Sequence, residues 1–168
     1  PDFRKQQRHY RDPGHYRCGP PFLPSHGAFP LSRRVTSAGV AAREGRLFLA
    51  RRQAGGALSL RWEFPGGKCR DEEDLAACLQ REFEEELEVS ITVGEPIGSV
   101  PFRHKETDFD LVALEVRMDS EPQALHVHEE YGWFTEEEMI ELDLADSDRL
   151  LYNRFKSRFR EVLRRSLE

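Results

Sequence analysis

The sequence predicts an α+β protein in which a mixed central sheet lies between helices. Two segments carry an apolar residue at every fourth position, Leu75–Leu79–Phe83–Leu87 and Leu151–Phe155–Phe159–Leu163–Leu167. Side chains at that spacing stack on one face, so each segment reads as a helix with a single buried stripe. Around the first helix lie short runs rich in Val, Ile, Leu and Phe, broken by glycine and proline turns, as strands are. Their order is strand, strand, helix, strands, short helix, long helix, which fits helices packed on a sheet.

Residues 1–34 differ from the remainder. They hold six of the ten prolines, with His, Arg and Tyr between them and no periodicity. They are expected to form a basic, extended or partly ordered arm, and residues 35–168 the folded domain. Cys18 with His9, His15 and His26 lacks the regular spacing of a metal site. A homodimer contacted by this arm is compatible with the sequence.

From residue 35 the elements follow in order. Val35–Ala41 and Leu47–Arg51 read as strands joined by the turn Arg43-Glu44-Gly45. A flexible loop through Gly55 and Gly56 leads to Trp62. After the first helix, Ser90–Val100 and Leu111–Val116 read as strands, with Pro101–Asp108 as a hairpin loop carrying Phe102, Arg103, His104 and Lys105. Val127–Phe134 is the last strand. Thr135 and Glu138 have the spacing of a capping box that opens a short helix. Asp148–Leu167 is the terminal helix, with Asp146 and Asp148 placed to cap it.

Composition narrows the function. Hydrophobic residues make up 38% and charged residues 33% of 168, a rather polar chain with room for one sizeable core. No apolar run approaches the roughly 20 residues of a membrane span, and no secretory signal pattern appears. Three cysteines without CxxC spacing argue against a disulfide framework or zinc site and fit a reducing cytoplasm. The net charge of −6 divides into +5 for residues 1–34 and −11 for the rest. An acidic body argues against binding long nucleic acid, whose affinity comes largely from cations meeting phosphates.

The chemistry concentrates between Trp62 and Val89. Pro65-Gly66-Gly67 is a tight turn, and Glu82, Glu85 and Glu86 stand at i, i+3 and i+4, on one helix face. Three adjacent carboxylates repel unless they share a cation. Hard divalent ions take oxygen ligands of this kind, together with substrate phosphates. A loop and helix holding Mg²⁺, with Mn²⁺ as a substitute, for phosphate chemistry is the expectation.

The same stretch resembles the Nudix hydrolase signature, Gly, five residues, Glu, seven residues, then Arg-Glu-apolar-x-Glu-Glu-x-Gly-apolar. Gly67, Glu73 and Arg81-Glu82-Phe83-Glu84-Glu85-Glu86-Leu87-Glu88-Val89 fill every specified position except one, where Glu88 replaces Gly. The lead-in Trp62-Glu63-Phe64-Pro65-Gly66-Gly67-Lys68 is similar to the MutT-like and CTP pyrophosphohydrolase-like branch. The resemblance implies an α/β/α sandwich. It implies that Glu82, Glu85, Glu86 and the Gly66 carbonyl bind metal, and that Glu82 or Glu85 takes the proton of the attacking water. It places Arg52 beside the substrate and Asp148 at the base; Gly67 and Lys68 are further substrate-binding candidates, as is Phe102 on a loop that could cover a nucleotide or be a charged turn, and Glu73 and Arg81, eight residues apart, fit a structural ion pair. Many relatives carry a further Glu a few residues before the Trp of the last strand. Val127 occupies that place here, leaving Glu129 and Glu130 as catalytic substitutes and His126 and His128 behind them. A non-Gly residue at position 88 is expected to cost about 1 kcal/mol if the helix ends in a left-handed conformation.

The function these readings imply is Mg²⁺-dependent hydrolysis of a nucleoside triphosphate to the monophosphate and pyrophosphate, clearing modified or surplus nucleotides. Attack in most MutT-like enzymes falls on the substituted, β phosphorus. The alternatives are hydrolysis of another nucleoside diphosphate derivative, such as a nucleotide sugar or dinucleoside polyphosphate, and a catalytically silent nucleotide-binding regulatory domain.

Overall fold

The computed structural model describes residues 33–168; the arm expected over residues 1–34 lies almost wholly outside them. The six strands are β1 (Arg34–Arg43), β2 (Arg46–Arg52), β3 (Trp62–Glu63), β4 (Ile91–His104), β5 (Thr107–Met118) and β6 (His128–Phe134). The three helices are α1 (Leu75–Leu87), α2 (Glu136–Glu141) and α3 (Asp146–Arg165). The sheet runs β3-β2-β1-β5-β4, with β6 on the other edge of β2. The β1–β5 pair is parallel and the other pairs are antiparallel, so the sheet is mixed as expected.

Strand alternation divides the core into two layers. Leu47 and Leu49 face one side with Val40, Trp62 and Phe64, where α3 supplies Leu151, Tyr152, Phe159, Val162 and Leu163. Phe48 faces the other side with Leu114 and Val116, where α1 supplies Leu79, Phe83 and Leu87. The period of two in the strands and of about four in the helices therefore meet across both interfaces.

Local chemistry explains the ends. Glu44 and Gly45 both have positive φ, 51° and 73°, the requirement of a two-residue hairpin turn whose twist matches its strands. The Asp74 carboxylate accepts the Ala77 N–H at 2.8 Å and starts α1. Thr135 and Glu138 form the reciprocal capping box. Glu88 does adopt the left-handed conformation, φ 52° and ψ 47°, with its N–H donating to the carbonyls of Glu84 and Phe83. The helix thus ends where a glycine would end it, and the carboxylate of Glu88 meets His126 Nε2 at 2.8 Å.

Three sequence expectations need correction. Pro101–His104 is not loop but the end of β4, because Phe102 pairs with Phe109 and His104 with Thr107, leaving a two-residue turn at Lys105 and Glu106. The terminal helix opens at Asp146, with Ala145 at the cap position and no side-chain cap. Asp146 instead pairs with Arg61 at 2.8 Å. Leu167 leaves the buried stripe and is 69% exposed, because the helix has already ended at Arg165.

Candidate active site

The cavity is made where the sheet splits. β2 pairs with β1 only next to the hairpin, through Ala42↔Leu47 and Arg43↔Arg46, and then takes β3 on the same edge. The vacated edge of β1 is filled by the Pro65–Cys69 segment. The Gly39 N–H donates to the Pro65 carbonyl and the Ser37 N–H to the Gly67 carbonyl, both at 2.8 Å, and the Cys69 N–H donates to Val35 at 3.0 Å. Alternate carbonyls of extended backbone point opposite ways, so that of Gly66 is aimed off the β1 edge. Gly66 is sterically required by the β1 backbone, whereas a side chain at Gly67 would displace the Glu82 carboxylate. A Cβ on Gly66 would lie 2.2 Å from the Ser37 carbonyl oxygen, and one on Gly67 2.4 Å from the Glu82 carboxylate.

Arg81 fastens this segment to α1. Its Nε and one terminal nitrogen reach Glu73 at 2.8 and 2.9 Å, and it also donates to the Lys68 carbonyl at 3.1 Å. Its other terminal nitrogen meets Glu82 at 2.6 Å and Glu85 at 3.1 Å. The Arg81 hydrogen bond holds the Glu73 carboxyl down at about 2, and Glu73 and Glu82 raise Arg81 in turn. Cys69 and Cys78 are paired as a disulfide between the same two elements. This corrects the expectation from cysteine spacing: docking of the 65–69 segment on β1 brings Cys69 over the first turn of α1, a contact with no signature in sequence.

Glu82 and Glu86 line the cavity with Gly66, Gly67 and Lys68. Glu86 is buried, and burial together with Glu63 and Glu82 pushes its carboxyl up to about 8. Its Oε1 lies 3.6 Å from Arg52, while its Oε2 is buried with no partner. Glu85 is more exposed, does not line the cavity and is engaged by Arg70 and Arg81. Arg52 also lies 3.5 Å from Glu63 Oε1, the atom that His128 Nε2 contacts at 2.9 Å.

At the other end stands Asp148, 5% exposed. Its carboxylate accepts the Phe64 N–H at 2.8 Å and the Ser147 hydroxyl at 3.0 Å, and so does not cap its own helix. Burial, then the charge of Glu63, raises its carboxyl to about 7. Phe102 lies flat on Phe109 at 5.2 Å, and Lys68 sits over the Phe109 ring at 5.3 Å. With Leu58 and Leu150 these enclose a cavity of about 820 Å³, the size of a nucleotide site.

The structure thus brings together Arg52, Gly66, Gly67, Lys68, Glu82, Glu86, Phe102 and Asp148. It does not bring in Glu129 and Glu130. Both pair with Arg51, at 2.9 and 2.8 Å, and neither lines the cavity. The cause is a register shift between Arg51 and Arg52 opposite them. Alternation sends Arg52 inward and Arg51 outward, and the two glutamates follow Arg51. Sequence reasoning missed Glu63. Its one signal is a carboxylate between Trp62 and Phe64, both buried.

The donor set fits a hard divalent cation. Glu82, Glu86 and the Gly66 carbonyl offer only oxygen, and a buried carboxylate oxygen without a hydrogen bond has a use for one.

Comparison with known proteins sets this chain among hydrolases that act on phosphoanhydride bonds. The chain belongs to the NUDIX domain family, whose model matches residues 31–155. It is 32% identical over 111 residues to the CTP pyrophosphohydrolase of Escherichia coli (strain K12), covering 66% of this chain and 82% of that protein. The solution structure of the E. coli ORF135 protein superposes with a TM-score of 0.68 at 31% identity, over 77% of this chain and 94% of the other. The MutT protein of Methanosarcina mazei Go1 shares the fold, with a TM-score of 0.68 at 22% identity over 77% and 97% of the two chains. Among the described residues no helix is long and apolar enough to cross a membrane.

Proposed function

We propose that the chain hydrolyses a nucleoside triphosphate to its monophosphate and pyrophosphate, with Mg²⁺ as cofactor. The observation that carries this reading is the polarity of the cavity. Carboxylates, a glycine turn and the cation Arg52 lie at one end, and a buried acid beside apolar and aromatic walls, with Lys68 over the Phe109 ring, lies at the other. Phosphates suit the first end and a base the second. Similarity to a CTP pyrophosphohydrolase supports a triphosphate over a nucleotide sugar.

Glu82, Glu86 and the Gly66 carbonyl would hold the ion, which supplies charge neutralisation at the bridging phosphates and a more acidic water. Arg52 orients the phosphate chain, and Lys68 meets the substrate from its place over the Phe109 ring. Glu82, with Oε1 fixed by Arg81, accepts the proton of the attacking water at its other oxygen. Glu73 and Arg81 hold the loop and helix in register and touch no substrate. Asp148 and the Phe102–Phe109 pair receive the base.

The test is release of pyrophosphate against phosphate from a panel of ordinary, oxidised and methylated nucleoside triphosphates, with Mg²⁺ and with chelator. Mg²⁺-dependent pyrophosphate release is expected. Turnover of nucleotide sugars or dinucleoside polyphosphates alone would move the assignment to those substrates.

A further inference from the structure

The Cys69–Cys78 disulfide has no part in the chemistry above, and a domain with two apolar layers needs no covalent staple to fold. It lies between the two halves of the proposed metal site. Cys69 follows Gly66 by three residues on the segment docked against β1, and Cys78 precedes Glu82 by about one turn on the same face of α1. The ring it closes spans a sequence separation of 9 and holds Glu73, the partner of Arg81, and Asp74, the cap of α1. The surroundings suit a thiol as well as a disulfide. Cys78 is fully buried, and beside its Sγ stand two oxygens, Ser37 Oγ at 3.3 Å and the Gly67 carbonyl at 3.7 Å. Ser37 is itself buried on β1, and its hydroxyl donates to the same carbonyl at 3.2 Å. A disulfide sulfur has no hydrogen to give, whereas a thiol has one and here finds an acceptor within reach. Cys69 is only half-buried, between the exposed Lys68 and Arg70, so its sulfur is the one that an outside thiolate can attack.

We propose that Cys69 and Cys78 form a reversible thiol–disulfide exchange site that sets metal affinity: closed, the bond holds the Gly66 carbonyl in place against Glu82 and Glu86, and opened, it lets the two halves part and weakens binding of the divalent ion. This rests on the reading above for the metal ligands and goes beyond it in making their spacing depend on redox state. The exchange partner is a dithiol. One of its thiolates attacks Cys69 Sγ, the bond between Cys69 and Cys78 breaks, and Cys78 leaves as a thiolate. A terminal nitrogen of Arg81, 4.0 Å away, faces that charge until the sulfur takes up a proton. The second thiol of the reductant then displaces Cys69 from the mixed disulfide and closes its own ring. Two electrons and two protons pass to the protein, and the oxidised dithiol runs the same steps backwards. The backbone hydrogen bonds that join Ser37 to Gly67, Gly39 to Pro65 and Cys69 to Val35 survive the opening, as does that from Arg81 to the Lys68 carbonyl. The segment therefore loosens but stays docked, and the effect falls on affinity before it falls on the fold.

The test is Mn²⁺ binding to the full chain, read from the electron paramagnetic resonance of the free ion. It is measured after treatment with oxidised dithiothreitol and after treatment with the reduced form, each removed without air. Alkylation in denaturant followed by peptide mass spectrometry reports the state of Cys69 and Cys78 in each sample. The oxidised protein is expected to bind Mn²⁺ about tenfold more tightly than the reduced, the scale of a lost support around metal ligands. Cys69→Ser is expected to bind as reduced wild type does after either treatment, which assigns the response to this bond and not to Cys18. Equal affinity in the two states of wild type would overturn the proposal, and needs no variant to show it. A fall in melting temperature on reduction with Mn²⁺ affinity unchanged would make the bond a structural staple and overturn it too. So would a response that persists in Cys69→Ser, or both cysteines alkylated after the oxidising treatment. Redox-dependent Mn²⁺ binding in a chain that hydrolyses no triphosphate would contradict the pyrophosphohydrolase reading and leave this one standing. Pyrophosphate release with the same Mg²⁺ requirement in both redox states would do the reverse.

Discussion

Glu86 and Arg81 show how single side chains set the site's energetics, in opposite directions. Without metal, Glu86 is held near 8 against an ordinary 4.5 by burial and by its acidic neighbours. At low pH it is protonated in both folded and unfolded chains. As pH rises from 4.5 to about 8 the unfolded chain gives up its proton first, so the native state loses stability across that window. Asp148 adds to the loss as pH rises from 3.8 toward 7. Glu73 works the other way, but only below 4.5, so it does not mask the effect. In chelator, Glu86→Gln should therefore melt above wild type at pH 8, with the difference gone near about pH 4. Thermal unfolding across pH reads this directly, and a variant no more stable than wild type at pH 8 would contradict it. For Arg81 the expectation is loss: Arg81→Ala strands Glu73 and Glu82 and should cost about 3 kcal/mol in urea unfolding. Arg81→Lys should recover little, since one ammonium cannot span both carboxylates.

At the level of elements, α1 is the best example of a segment readable in advance. Its apolar ladder, its Asp74 cap and its carboxylate face all follow from spacing within one helix. Its end was readable too, because the left-handed Glu88 stands where the signature has glycine. Glu88→Gly is expected to raise stability by about 1 kcal/mol, or roughly 2–4 °C in melting temperature. A lower melting temperature would mean that the exposed contact to His126 outweighs the backbone strain. The β4–β5 hairpin was less readable. Gly94-Glu95-Pro96 reads as an interruption of the strand, but β4 passes that segment with shifts of register and continues to His104. Phe102 thus enters the cavity from a strand and not from a loop.

For the whole molecule, the decisive event is the parting of β2 from β1. It frees the β1 edge that the glycine segment occupies, and it opens the cavity between that segment and the start of α3. Nothing in local sequence encodes it. The contacts it creates include pairs far apart in the chain, Glu63 to His128 and Phe64 to Asp148, and only the assembled sheet reveals them. The fold was legible from the order of its elements, the positions of Glu82, Glu86 and the Glu73–Arg81 pair from spacing within a short motif, and that of Arg52 from family resemblance. The outward turn of Glu129 and Glu130 was not, because a one-residue register shift decides which way a strand residue faces. That difference allows the central claim, that the carboxylates of α1 and not those of β6 carry the chemistry, to be tested in one comparison. Steady-state pyrophosphate release from the best triphosphate should be measured for wild type, Glu82→Gln and the double variant Glu129→Gln/Glu130→Gln. Glu82→Gln is predicted to lose at least about a hundredfold in kcat, the scale of a lost general base, with the double variant within about twofold of wild type. A comparable collapse in the double variant, or a Glu82→Gln enzyme that turns over normally, would contradict the account.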